Sequence, residues 1–173
     1  MKKSDKIKAE RTMEKVRALT RHIRNVEDNC LLLGERLIMT GEIELGHHLI
    51  ANGFVHDSSK FNGIEWDQLV IGSPTEKEEN KLKLKMAIQH HQKVNPHHSA
   101  FWGGIKNMPD VYLCEMVADW KSRSEEFGTD LRDWIDDRAT KQFGFSKEDE
   151  VYKKIMKYVD MICQPPFATV AQE

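Results

Sequence analysis

The sequence predicts an all-α protein built as one domain, and three observations support this expectation. The chain has 173 residues, a length that suits one domain with a sizeable core. Apolar residues between positions 16 and 37 recur at alternating spacings of three and four, as they do on one face of a helix. The sequence also has no internal repeat, no linker and no convincing β-hairpin. We therefore expect a domain at residues 1–164 followed by an irregular tail at 165–173.

The composition excludes several classes of protein. Hydrophobic residues make up 39% and charged residues 31%, which is typical of a folded soluble chain and too apolar for a disordered one. No run approaches the roughly 18 uncharged residues that a membrane span needs, and no apolar stretch follows the basic start. The net charge of −2 argues against general nucleic-acid binding. We expect a cytoplasmic protein that does not contact a membrane.

Charge and cysteine content give two weaker indications. Residues 1–24 hold nine Lys/Arg against three acids, and residues 125–150 hold nine acids against four Lys/Arg. Both segments fit solvated helix faces, although the basic one could also attract phosphorylated ligands. The three cysteines have no CxxC spacing and predict neither a disulfide framework nor a thiolate zinc site. They are Cys30, Cys114 and Cys163.

The first half of the chain predicts a long helix and two shorter ones. The apolar face of the long helix contains Val16, Leu19, Ile23, Val26, Cys30, Leu33 and Leu37. His22 lies on this face, so its ring should point toward the core. A second helix is expected at about 42–52, between Gly41 and Gly53, and a third from near Phe54.

The second half predicts further helices around one irregular loop. Thr75 and Glu78 form a capping box for a helix that reaches about Lys93, despite the strand-like alternation of KLKLK. Residues 94–109 contain two Pro, two Gly and two Asn and should form the loop. Helices are then expected at about 110–127, 130–141 and, after a Ser146 cap, 147–163.

The residues with the clearest chemistry are His56 and Asp57 at the start of the predicted third helix. Imidazole and carboxylate groups are both good ligands for divalent metals. Neighbours on a helix point about 100° apart, so both could reach one ion only at the helix edge. Lys60 follows one turn later, where its ammonium group could meet a metal-held phosphate.

Together, His22, His56, Asp57 and Asp119 form an H…HD…D pattern that resembles the HD-domain superfamily of metal-dependent phosphohydrolases over residues 15–125. The string HDSSK is similar to HDxGK of the HD-GYP phosphodiesterases, and His90-His91 through MPDVYLCEMVADWKSRS is similar to their HHE…IP…DVxDA run. The GYP triad is absent, and Gln92 replaces the expected Glu. The whole arrangement is more similar to a small HD-like family of bacteria and their phages.

This resemblance implies an HD-type helical bundle that uses the four pattern residues as metal ligands. It implies one or two divalent ions (Mn, Fe, Co, Zn or Mg) and hydrolysis of a phosphate ester, most simply of a nucleotide or nucleotide-like compound. Lys60 would stabilise charge on the phosphoryl group. Glu65 could act as a general acid or base, or it could be a solvated helix residue.

Three of the remaining histidines are expected to line the same cleft as His56. His91 lies on one face with Ile88, and His97 and His98 follow Asn95-Pro96, which should turn the chain back toward His91. These three could bind a second metal or form a phosphate cradle. His90, His47 and His48 are weaker candidates. Phe101 or Trp102 could stack on a base, or simply pack.

Two other functions fit the same residues. Some HD-fold enzymes, including myo-inositol oxygenase, are mixed-valent diiron oxygenases that use four histidines and two aspartates, and this chain has enough of both. The third hypothesis is a protein that binds a metal only for stability and has no catalytic activity.

Overall fold

Helices form the regular structure of the computed structural model, which describes residues 3–72 and 78–165. No strand occurs within these two ranges, so the all-α prediction is confirmed. One continuous hydrophobic core joins the helices. No helix in the described part of the chain is long and apolar enough to cross a membrane.

The first two helices form a tightly packed hairpin. Helix α1 spans Lys3–Met39 and α2 spans Ile43–Val55. The two backbones meet at Gly34 and Gly46, where a Cβ on Gly46 would lie 2.5 Å from the Gly34 carbonyl oxygen. Gly53 likewise faces α1, because a Cβ there would lie 2.7 Å from Cys30 Cβ. These close approaches fix the C-terminal end of α2 against α1.

The middle of the chain consists of short helical pieces around one long helix. A 3₁₀ turn at Ser58–Phe61 leads into α3, Gly63–Glu65, which continues as a π-helical segment, Trp66–Val70. Helix α4 spans Glu78–Val94. Two 3₁₀ turns then occur within the predicted irregular loop, at Ser99–Trp102 and Ile105–Asn107. These short helical segments contribute few side chains to the hydrophobic core. Their positions depend instead on the polar contacts described below.

The C-terminal third completes the core. Helix α5 spans Asp110–Phe127, as the sequence predicts. Helices α6 (Leu131–Trp134) and α7 (Thr140–Phe143) are joined by a π-helical segment, Ile135–Ala139, and α8 spans Glu150–Ile162. Helix α5 packs against α1, α2 and α8 and is therefore the central helix of the bundle.

Two predicted helix starts are wrong. The chain does not begin a helix near Phe54, because Gly53 is a contact with α1 rather than a break, and α2 continues through it to Val55. The N-cap position of α8 is occupied by Asp149 rather than Ser146, and the Asp149 carboxylate accepts from the Ser146 backbone N–H and hydroxyl instead of capping the helix. Thr75 and residues 166–173 of the predicted tail lie outside the described residues.

Candidate metal centre

His56 and Asp57 lie in the sharp turn that ends α2, not on a helix. His56 has extended backbone (φ −50°, ψ 133°), and Asp57 is left-handed (φ 57°, ψ 14°). Asp57 is the only non-glycine residue with positive φ in the described chain. Left-handed backbone is unfavourable for a side chain, and such strain is concentrated at functional sites. The turn directs both side chains inward, and each residue is only 2% exposed.

A first ligand group comprises His22, His56 and Asp119, which come from α1, the end of α2 and α5. One potential ligand atom from each lies within 4.8 Å of the others. His22 Nε2 is 3.0 Å from Asp119 Oδ1. Three elements distant in sequence therefore bring together three of the four residues of the predicted pattern.

A second ligand group comprises Asp57, His91, His97 and His98. One potential ligand atom from each of these residues also lies within 4.8 Å of the others. His91 Nε2 lies 3.2 Å and His97 Nε2 3.6 Å from Asp57 Oδ1. The two groups adjoin each other, since the ring centroids of His56 and His97 are 4.2 Å apart. The structure thus places the three later histidines in one cluster with His56.

Four of the five histidines in the two ligand groups have the same orientation, with Nδ1 directed to a glutamate. His22 Nδ1 contacts Glu126 at 2.9 Å, and His91 Nδ1 contacts Glu65 at 2.8 Å. Glu115 serves two rings, with His56 Nδ1 at 3.0 Å and His97 Nδ1 at 3.3 Å. Metal-binding histidines typically have this arrangement, because the carboxylate fixes the tautomer and leaves Nε2 free as a ligand.

The atoms that point into the centre lack hydrogen-bond partners. Buried and unpartnered among the described residues are His56 Nε2, His97 Nε2, His98 Nε2, Asp57 Oδ1 and Asp119 Oδ1. Each unsatisfied buried polar group costs about 1–3 kcal/mol. Two of the five, Asp119 Oδ1 and Asp57 Oδ1, lie close to His22 and His91 respectively. Ligation of divalent cations would satisfy all five atoms. The donor set, imidazole with carboxylate, suits zinc, iron, manganese or cobalt.

Asp57 lies between the two groups. Its Oδ1 faces His91 and His97, while its Oδ2 is 3.7 Å from His56 Nε2 and accepts a hydrogen bond from Lys60. Burial alone would raise the pKa of Asp57, but the interaction with His91 and the charges of His56 and Lys60 lower it overall. Asp57 is therefore a carboxylate whose Oδ1 belongs to the second group, while its Oδ2 is held by Lys60 near His56.

The electrostatics of the cluster also favour cation binding. Burial raises the pKa of Asp119, but His22 and the other nearby histidines outweigh it and hold that pKa below its usual value. Burial and the neighbouring His97 and His91 lower the pKa of His98 to about 3. His98 is thus neutral near pH 7, so one of its ring nitrogens has a free lone pair.

Glu65 is fully buried, which excludes the solvated alternative for this residue. Its Oε2 accepts from the Ser59 hydroxyl at 2.8 Å and contacts His91, and its Oε1 contacts His90 Nδ1 at 2.7 Å. Burial raises the pKa of Glu65, but these hydrogen bonds lower it overall. Both oxygens are thus committed to holding neighbouring side chains.

Other predicted candidates lie outside the cluster. His47 and His48 are exposed on α2, and His90 turns only its Nδ1 toward Glu65. The Trp102 indole N–H donates to the Pro96 carbonyl, and its ring packs on Tyr112. Of the cysteines, Cys30 and Cys114 are buried and Cys163 is exposed. None of these cysteines belongs to a ligand group.

The sequence did not reveal Glu115 and Glu126 as partners of histidines. Glu115 precedes Asp119 by one helical turn, so that spacing was the available signal. Asn52 adds to it by donating to Glu115 Oε2 at 3.0 Å. Glu126 gave no signal, because its partner His22 is on another helix.

Two cavities open onto the cluster. A cleft of about 900 Å³ is lined by His22, His91 and His98 and by four cations, Lys15, Arg21, Lys60 and Arg123; we call it the basic cleft. Its carboxylates Glu125 and Glu126 are already paired, with Lys121 and Arg123 respectively. A pocket of about 450 Å³ on the other side reaches His97, His98 and Asp119, and its walls include Trp120, Trp134 and Phe143; we call it the aromatic pocket.

Comparison with known proteins places the chain in a family but not in a functional class. Residues 11–165 match the Family of unknown function (DUF5662), and the chain belongs to that family. No curated protein and no solved structure matches it.

Proposed function

We propose that this member of the DUF5662 family is a metal-dependent phosphohydrolase that acts on a phosphate ester, most simply a nucleotide or nucleotide-like compound. The observation that carries the proposal is the convergence of buried, unpartnered ligand atoms beside a basic cleft. The likeness of the His22, His56-Asp57, Asp119 pattern to HD-domain phosphohydrolases supports the same reaction class.

Each of the two ligand groups would hold one ion, and Asp57 belongs to the second group. His22, His56 and Asp119 would bind one ion, and His91, His97 and His98 the other. Divalent ions in such a site polarise a phosphoryl oxygen and lower the pKa of a coordinated water. The glutamates at Nδ1 would keep His22, His56, His91 and His97 in the tautomer that ligation requires.

Lys60 is the cation best placed to stabilise charge on the phosphoryl group. Its side chain is 16% exposed, lines the basic cleft and contacts Asp57 Oδ2. A positioned cation in a partly desolvated site stabilises charge that develops on phosphoryl oxygens during transfer. Because its ammonium group is held by Asp57, Lys60 lies beside the second ligand group.

Glu65 would act as a positioning residue rather than as a general acid or base. Its two oxygens hold Ser59, His90 and His91, so it has no oxygen directed at a substrate. A proton for the leaving group would come instead from a water in the cleft or from a histidine not occupied by metal.

An HD-type diiron oxygenase is the second candidate, and the double ligand group favours it. Five histidines and two aspartates lie around two adjacent sites. The donor set that the resemblance implies for that class, four histidines and two aspartates, is available among them. The cations of the basic cleft favour the phosphohydrolase, because they would bind the oxygens of a phosphate. Two of the four also contact a carboxylate, Lys60 that of Asp57 and Arg123 that of Glu126.

Metal analysis of the purified protein, combined with phosphate release from a nucleotide panel, tests the proposal. We expect one or two equivalents of a divalent metal per chain and release of inorganic phosphate or a nucleotide product. His56→Ala should lose bound metal and hydrolytic activity, whereas His47→Ala, at an exposed histidine, should keep the metal and the activity. Iron with oxygen consumption and no phosphate release would favour the oxygenase. Bound metal with neither reaction would leave a non-catalytic, metal-stabilised protein.

A further inference from the structure

The aromatic pocket is built like a ligand site. Its volume of about 450 Å³ falls in the range usual for small-molecule pockets. Trp120 packs edge-on against Trp134 with centroids 5.0 Å apart and stacks on Phe143 at 5.3 Å, so the wall is rigid. Phe127, at the mouth, is 73% exposed. An exposed aromatic beside an open apolar pocket is suited to covering a flat ligand.

The pocket is connected to the chemistry of the metal centre. His97, His98 and Asp119 form its inner end, and each contributes a buried ligand atom without a hydrogen-bond partner. A molecule in the pocket would therefore extend from the aromatic wall to the ligand groups. Gln142 and Thr129 add polar groups to the lining.

The basic cleft and the aromatic pocket share His98 in their linings. His98, Gln92, Arg123 and Phe127 line both cavities, so the two cavities adjoin. One cavity offers aromatic surface and the other offers cations, and residues of the ligand groups line both. This order matches a substrate that has a flat organic group at one end and phosphate at the other.

We propose that the aromatic pocket binds the nucleobase of a nucleoside phosphate, which places the phosphate at the metal centre and any further phosphates in the basic cleft. This inference rests on the proposed function for its orientation of the phosphate. The base would pack against Trp120, Trp134 and Phe127, and the Gln142 amide would meet its polar edge. Phe101 and Trp102 line neither cavity and would have no part in base binding.

The four tryptophans allow a direct test by NMR. Trp66, Trp102, Trp120 and Trp134 each give one indole N–H signal, which single Trp→Phe variants assign. We titrate the metal-loaded protein with the 5′-monophosphates of adenosine, guanosine, cytidine and uridine, with the four nucleosides, and with ribose 5-phosphate. At least one nucleotide and its nucleoside should shift the signals of Trp120 and Trp134 but not those of Trp66 and Trp102. Ribose 5-phosphate, which lacks the base, should not shift the signals of Trp120 and Trp134.

Substitutions at the pocket mouth provide the matched controls. Phe127→Ala should raise the Kd of the responding nucleoside roughly 2- to 10-fold, the effect of losing one aromatic contact. Thr129→Phe, which fills the pocket from its exposed rim, should abolish the shifts. Phe101→Ala removes an exposed aromatic outside both cavities and should leave the Kd unchanged. Both mouth residues are exposed, so these variants should fold.

The outcomes separate this inference from the proposed function. Base-dependent shifts without phosphate release from any ester would retain the pocket and reject the hydrolase. Phosphate release from ribose 5-phosphate as fast as from the nucleotides, with Trp120 and Trp134 unmoved by all four nucleosides, would retain the hydrolase and reject the pocket. An equal effect of Phe101→Ala and Phe127→Ala would also reject it.

Discussion

The two ligand groups differ in what holds them. The first group lies on α1, α5 and the end of α2, which pack directly on one another through core residues such as Val26, Cys30 and Val117. In the second group, His97 and His98 lie in the irregular loop after α4, and their positions depend on polar contacts. One such contact runs from the Asn95 side chain to Ser59 at 2.8 Å.

The supporting carboxylates show the same difference. Both histidines of the first group have a glutamate at Nδ1, Glu126 for His22 and Glu115 for His56. In the second group, His91 has Glu65 and His97 shares Glu115, but no acidic partner for His98 is found within the described residues. Because a rigid and supported ligand set binds metal more tightly, we expect the first group to hold its ion with higher affinity.

Asp57→Ala should have the largest effect, because Asp57 faces both groups. We expect loss of most bound metal and of essentially all turnover, and His56→Ala should behave alike. Metal content and initial rate measure this, with circular dichroism to show that the helices remain. His98→Ala should lose the second ion only. Full metal retention in both the Asp57 and His56 variants would overturn the site.

Chelation should separate the two groups. On titration with a chelator, the ion of the second group should leave first, so metal content should fall in two steps. Removal of the last ion should lower the thermal unfolding midpoint, since metal that binds only the folded state stabilises it. Loss of all metal in one step would show that the groups are equivalent.

Lys60→Met should separate binding from chemistry. The variant keeps most of the side-chain length, and we expect normal metal content with a rate reduced roughly 10²-fold, the usual effect of removing one positioned stabilising group. Arg21→Met, at an exposed position of the same cleft, is the control and should reduce the rate less. An unchanged rate in Lys60→Met would make Lys60 an ordinary surface residue.

Glu126→Gln and Glu65→Gln test the supporting carboxylates. Loss of such a partner typically lowers metal affinity 10–100-fold. Glu126→Gln should weaken the first ion and Glu65→Gln the second, as measured by competition with a metal-binding dye. If both variants weakened the same ion, the division into two groups would be incorrect.

Cysteine substitutions should have the smallest effect on activity. Cys163→Ala changes an exposed thiol outside both groups and should leave rate and metal content unchanged. Cys30→Ala and Cys114→Ala should keep the rate but lose some stability, because both side chains are in the core. An inactive single-cysteine variant would reveal thiol chemistry.

The sequence alone determined the helices with strong hydrophobic periodicity. It also identified the residues whose side chains are suited to binding a metal. The face from Val16 to Leu37 and the bounds of Asp110–Phe127 follow from local spacing, since burial of one helix face depends only on the 3.6-residue repeat. His22 is buried because it shares that face. The likeness to HD proteins selected His56, Asp57 and Asp119. This was possible because the residue types that bind metals can be identified directly from the sequence.

Only the tertiary structure decided how these residues meet. The left-handed turn at Asp57 cannot be read from local propensity, because glycine is the usual residue at positive φ and Gly53 suggested a break three residues too early. The pairing of Glu126 with His22 joins residues 104 positions apart, and no spacing rule spans such a distance. The separation into two ligand groups and two cavities likewise depends on how α1, α4 and α5 pack, because a metal site is defined by distances between side chains that only packing sets.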